Sequence, residues 1–138
     1  MNELRYAVIC VDDDPMILQV LAFQLDKILD NKSILIEYYT NPNIALSDID
    51  ALIDEEIDVI FVLVDYQMPE MTGAELIRKI KSKHKNLNCL MLSGQANSTQ
   101  VSELEKDDLL EKFIEKPWDE DELRDAINKL VDAKSISK

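Results

Sequence analysis

The sequence predicts an α/β protein, a doubly wound three-layer sandwich in which five parallel strands lie between two layers of helices. Short runs rich in Val, Ile, Leu and aromatic residues alternate strictly with longer segments whose apolar residues recur at helical spacing, the pattern of βα units. The run Ile60, Phe61, Val62, Leu63, Val64 is apolar on both faces, as suits a central parallel strand covered by helices on each side. Right-handed crossovers then place helices on both faces of the sheet.

The elements follow in order. YAVICV (residues 6–11) is the first strand, and PMILQVLAFQLDKILD (15–30) a helix with Ile17, Leu18, Leu21, Leu25, Ile28 and Leu29 on its apolar side. Pro15 suits the first turn of that helix and Asp14 its N-cap. ILIEYYT (34–40) is the second strand. NIALSDIDALIDEEI (43–57) is the second helix, apolar along Ile44, Leu46, Ile49, Leu52, Ile53 and Ile57. VIFVLV (59–64) is the third strand, and GAELIRKIKSKH (73–84) a helix turning Leu76, Ile77 and Ile80 inward. CLMLS (89–93) is the fourth strand, STQVSELEKDD (98–108) a weaker helix, KFIEK (112–116) a short fifth strand and DEDELRDAINKLVDA (119–133) the last helix.

A chain of 138 residues supports one domain with a real core; it is read as a single domain over 1–138, with its core over about 6–131 and a flexible tail over 132–138. A formal charge of −13 would repel nucleic acid phosphates and anionic membranes, which argues against direct binding to either. The first residues carry no long apolar stretch, and no run approaches the roughly 18 residues needed to cross a bilayer, so a cytoplasmic location is expected. Cys10 and Cys89 sit within apolar strands and form no C-x-x-C, so they read as reduced core residues.

Polar groups gather at the strand ends. Asp12 and Asp13 follow the first strand, Asp65 ends the third, Ser93 ends the fourth, and Lys116 precedes Pro117 after the fifth. An isolated Asp ahead of Pro69 would be a turn residue. In a doubly wound sheet, however, the carboxyl ends of adjacent strands share one rim, where ligands bind. Three carboxylates there repel one another unless a cation intervenes. A hard divalent ion suits oxygen ligands, and Mg²⁺, which binds few carboxylates and keeps waters, fits better than Ca²⁺. DDDP lacks the alternating ligands and central Gly of a calcium loop.

VICVDDDP, VLVDYQMPEMTG, CLMLSG and FIEKPW together resemble the successive motifs of the response-regulator receiver domain of two-component signalling, from about Tyr6 to Val131. The resemblance implies a flavodoxin-like sheet in the order 2-1-3-4-5 with five helices. It implies that Asp65 is the phosphoryl acceptor, fed by a sensor histidine kinase or a histidine phosphotransfer protein. Mg²⁺, with Mn²⁺ able to substitute, would be held by Asp13 directly, Asp12 through water, Asp65, and the backbone carbonyl of Gln67. Ser93 and Lys116 would assist the transfer, and Ser93 with Phe113 would switch the surface of the fourth helix, fifth strand and fifth helix for a downstream effector.

The same resemblance places Gln67, Gly94, Gln95 and Pro117 beside the site, with a cis peptide before Pro117. A phosphorylation-linked homodimer is within the family's range. The chain would be a signalling phosphoacceptor catalysing only its own phosphotransfer and dephosphorylation. Phe113 lacks the hydroxyl of the frequent Tyr, which excludes a switch built on a Tyr hydrogen bond.

Two alternatives of other kinds stand beside this reading: a phosphorylation-independent scaffold, and a Mg²⁺-dependent aspartyl phosphatase. The phosphatase would need a second acid two residues after its nucleophile, where Gln67 stands. Gly73 and Gly94, the only glycines, exclude the G-x-x-x-x-G-K-[ST] and G-x-G-x-x-G phosphate loops. His84 reads as a solvated charge at a helix C-terminus. Trp118 suits either a partner surface or packing on the last helix.

Overall fold

The computed structural model describes residues 5–30, 32–94 and 99–134. Along the chain run β1 (Arg5–Val11), α1 (Pro15–Ile28), β2 (Ile34–Tyr39), α2 (Pro42–Asp54), β3 (Ile57–Asp65), α3 (Gly73–Lys83), β4 (Asn88–Ser93), α4 (Thr99–Lys106), β5 (Lys112–Glu115) and α5 (Glu120–Asp132). All neighbouring strands are parallel, in the order β2-β1-β3-β4-β5. The flavodoxin-like doubly wound fold is therefore the observed one.

The helices divide between the two faces as the alternation of side chains requires. Val8, Cys10, Phe61, Leu63, Leu90, Leu92 and Ile114 point to the layer of α1 and α5, where they meet Leu21, Leu25, Leu123 and Ile127. Ile9, Val11, Val62, Val64, Cys89 and Met91 point to α2, α3 and α4, meeting Ala45, Ile49, Ile77, Ile80 and Leu104. Burying a side chain of this size stabilises the fold by about 1.5–3 kcal/mol. Two such layers leave the sheet rims as the sheet's openings to solvent.

Helix α2 differs from the sequence reading at both ends, each for a local reason. Helix α2 begins at Pro42, because Asn41 caps it by accepting from Asn43 N at 2.8 Å and Ile44 N at 3.3 Å. It ends at Asp54; Glu56 at φ 64° turns the chain, and Ile57 pairs with Arg5 in the sheet instead of extending the helix. Ile44, expected on the apolar side, is 54% exposed, and Ala45 next to it takes the buried place. Asp14 caps α1 as expected, accepting from Met16 N at 2.9 Å.

Strand β3 also carries a bulge. Ala7 faces Val59 but Val8 faces Phe61, so Ile60 is an extra residue without a partner in β1. Asn88 Nδ2 donates to its carbonyl at 3.3 Å. At the other end of the chain Asp132 closes α5, and Lys134 Nζ lies 3.0 Å from Asp58 Oδ2; of the expected tail, residues 135–138 lie outside the described residues.

Candidate functional site

The strand order reverses at β1, and the carboxyl ends of β1, β3, β4 and β5 open onto one cleft of about 700 Å³. Asp12, Asp13, Asp65, Gln67, Ser93, Gly94 and Lys116 all line it. Asp12 is 2% exposed, Asp65 8% and Ser93 1%, the three buried polar residues among those described. The topology thus brings together acids separated by more than fifty residues.

Backbone bonds hold the cleft's walls in register. Asp12 N donates to Tyr39 O at 3.0 Å, tying β1 to the end of β2, and Lys116 N donates to Ser93 O at 2.9 Å, tying β5 to β4. Asp12 Oδ1 accepts from Asp14 N at 2.9 Å. Lys116 Nζ reaches both buried acids, 2.8 Å from Asp65 Oδ1 and 3.2 Å from Asp12 Oδ2. The peptide between Lys116 and Pro117 is cis, as expected.

Electrostatics follow from this crowding. Burial pushes the Asp65 carboxyl above its ordinary range, and Asp13 adds to that, while the Lys116 contact opposes it. Burial likewise raises Asp12, opposed by the Asp14 amide and Lys116, with Asp65 pushing further up. For Lys116, burial pulls downward, but hydrogen bonding and charge from Asp65 and Asp12 outweigh it and the ammonium is held above its usual value. One lysine therefore faces an excess of negative charge. One oxygen from each of Asp12, Asp13 and Asp65 lies within 4.8 Å of the others. This hard, all-oxygen donor set fits a small divalent cation.

The remaining expectations fall as follows. Phe113 is half-buried against the α2, α3 and α4 layer and pairs with Met91. Gln95 lies outside the described residues. His84 is not a solvated charge: its ring is 21% exposed, and Nε2 sits 2.8 Å from Asp50 Oδ1, because α3 ends directly beside α2. Trp118 packs with the α1 and α5 layer and donates to Gln24 Oε1 at 2.7 Å, so it ties the chain after Pro117 to α1.

Two features escaped the sequence. Ile17, Met68 and Pro69 give the cleft an apolar lip; Ile17 was legible only as one more apolar position of α1. On the outer side of α1, Met16 is 72% exposed, Val20 46% and Phe23 67%, with Lys27 Nζ 4.8 Å from the Phe23 ring centre. Their i, i+4, i+7 spacing, offset from the core stripe, was the available signal.

A parallel sheet in this order, with a buried acid pair, a further acid, a hydroxyl and a lysine on its rim, has the architecture of a receiver domain. The family model for the response regulator receiver domain matches residues 8–128, and the chain belongs to that family.

Among curated proteins, it is similar to sporulation initiation phosphotransferase F of Bacillus subtilis, 31% identical over 74 residues, or 54% of this chain and 59% of that protein. It is also similar to chemotaxis protein CheV1 of Helicobacter pylori, 29% identical over 116 residues, or 76% of this chain and 33% of that protein. The matches span about half the length of the first such relatives. Among solved structures, a CheY-like receiver domain protein of Methanospirillum hungatei is 25% identical with a TM-score of 0.74, covering 96% of this chain and 98% of that one. The response regulator TrrA of Thermotoga maritima, solved in complex with Mg²⁺-BeF, shares the fold at 23% identity and a TM-score of 0.74, covering 91% and 98%.

Proposed function

We propose that this receiver domain accepts a phosphoryl group from a phosphohistidine onto Asp65. The observation that carries the reading is the pairing of Lys116 Nζ with Asp65 at 2.8 Å inside a cluster of three acids whose oxygens lie within 4.8 Å. Asp12, Asp13, Asp65 and the Gln67 carbonyl would hold Mg²⁺, and the Mg²⁺-BeF complex of TrrA supports that assignment. When bound, Mg²⁺ supplies the charge neutralisation that lets an anionic phosphoryl group approach three carboxylates.

The chain's own residues do the rest. An Asp65 carboxylate oxygen forms the new P–O bond as the P–N bond of the donor breaks and its electron pair stays with the imidazole. Lys116 fixes the orientation of Asp65 and offers positive charge to the incoming oxygens. The buried Ser93 hydroxyl donates to one of those oxygens, and its movement with Phe113 carries the change to α4, β5 and α5. Later attack by water resets the site. The domain turns over no external substrate: no carboxylate stands at Gln67 to serve as the acid and base of a phosphatase.

The donor is a sensor kinase or a histidine phosphotransfer protein, and the exposed apolar stripe of Met16, Val20 and Phe23 on α1 offers it a contact surface. An effector domain or protein reads the switched face, in the cytoplasm. Intact mass after incubation with acetyl phosphate tests the reading, with and without Mg²⁺ and beside Asp65→Asn. A single Mg²⁺-dependent phosphate adduct absent from the variant is expected. A folded, Mg²⁺-binding domain that takes up no phosphate would instead be an interaction scaffold.

A further inference from the structure

The loop after Asp65 leads straight into α3, and its geometry is unusually constrained. Gly73 N donates to Tyr66 O at 2.6 Å, and the Gly73 α-carbon lies so close to the Asp65 carbonyl that no methyl would fit. Thr72 caps the helix, its Oγ1 accepting from Glu75 N at 3.1 Å. With its lone pair so used, the Thr72 hydroxyl turns its proton outward and donates to Gln100 Oε1, on α4, at 3.0 Å. A second link, Arg78 to Asp107 at 2.8 Å, joins the middle of α3 to the residue that follows the last turn of α4. Helix α4 is thus fastened at both ends to α3, and at the cleft end the fastening is made to the segment that carries Asp65 and Gln67.

We propose that Gln100 is a positioning residue for the acid cleft. By accepting the Thr72 hydroxyl it holds the loop of residues 66–72 in the conformation that presents Gln67 to the cleft, so that the placement of α4 and the ion affinity of the cleft are coupled. This route is separate from the Ser93 and Phe113 pair, and it works in both directions. A partner that draws α4 away from Thr72 loosens the cleft, and a cation that tightens the cleft steadies α4, because the coupling free energy is one quantity. The inference rests on the reading of the cleft as a Mg²⁺ and phosphoryl site.

Gln100→Ala removes the acceptor without harming helix propensity, and Gln100→Glu keeps an acceptor at the same reach. Two readouts are taken on the full chain: Mg²⁺ affinity by calorimetry, and amide hydrogen exchange across residues 66–73 without the metal. Gln100→Ala is expected to lower Mg²⁺ affinity about two- to fourfold, the low end for one neutral, exposed hydrogen bond. It is also expected to speed exchange in that loop while the unfolding midpoint stays put, and Gln100→Glu to restore slow exchange. Unchanged affinity and unchanged loop exchange in Gln100→Ala, beside a wild type that binds Mg²⁺, would overturn the coupling alone. A wild type that binds no Mg²⁺ would overturn the functional reading and this inference with it.

Discussion

Replacing Gly73 with alanine probes the tighter of the two glycine positions. A methyl group there would run into the Asp65 carbonyl oxygen, with Val64 Cγ1 at 2.9 Å and the Asp65 carbonyl carbon at 3.0 Å. Carbon atoms prefer about 3.5–4.0 Å, so β3 and the start of α3 must part by several tenths of an ångström or more. Neither side is the flexible end of a side chain. Overpacking of this kind costs about 1–3 kcal/mol, and the helix preference of alanine over glycine returns at most about 1 kcal/mol.

The net expectation is a loss of about 1–2 kcal/mol, read as a lower urea midpoint with an unchanged slope. For a chain of this length the melting temperature falls by roughly 3–8 °C. Gly94→Ala is the control, at a glycine that lines the cleft and where an added methyl meets nothing within 4 Å, and its stability should stay within about 0.5 kcal/mol of wild type. A Gly73→Ala protein as stable as wild type would refute the reasoning, as would a Gly94→Ala protein equally damaged.

Three further outcomes follow from the charges. Burial raises the Asp65 carboxyl, so its charge costs stability above that raised value and the cost fades as the pH falls through it. Asp65→Asn should therefore be more stable than wild type at pH 7, with the margin closing toward the ordinary aspartate range in acid unfolding curves; a variant less stable at pH 7 contradicts this. Mg²⁺ at a hundredfold excess over its Kd should stabilise the wild type by about 2.7 kcal/mol, and a thermal shift that survives intact in Asp13→Asn would remove Asp13 from the ligand set. Asp50, held low first by its hydrogen bond to His84 and then by Lys83, stabilises the fold above the ordinary aspartate range and loses that contribution as the pH falls through its lowered value. Asp50→Asn should cost about 0.5–1 kcal/mol at neutral pH and nothing once the carboxyl is protonated, which paired unfolding curves at the two pH values would reveal.

Much of this molecule was legible because its signals are local. Alternating apolar runs marked all ten elements, and an acid, a hydroxyl and a lysine each standing at a strand end were enough to place the cleft once the parallel topology was known. What stayed hidden depended on contacts between distant segments. The end of α2 was misread because Ile57 continues the helical spacing by coincidence, and only the left-handed turn at Glu56 separates it from the helix. His84 looked like a surface charge because nothing in its own neighbourhood names Asp50, thirty-four residues earlier. Trp118 found its partner Gln24 on a helix ninety-four residues away. The Thr72 to Gln100 bond is of the same kind, since polar residues twenty-eight apart carry no periodic signature.

The extra residue in β3 bears on how this strand tolerates changes in length. Upstream of it Ala7 faces Val59 and downstream Val8 faces Phe61, so removing Ile60 alone would join two segments already in phase and leave Asp65 opposite the same neighbours. Removing Val62, Leu63 or Val64 would instead draw the acid back one position and turn its carboxylate to the other side of the sheet. Position 60 is the strand's slack, the one place along β3 where the chain can lose a residue and still deliver its acid to the rim.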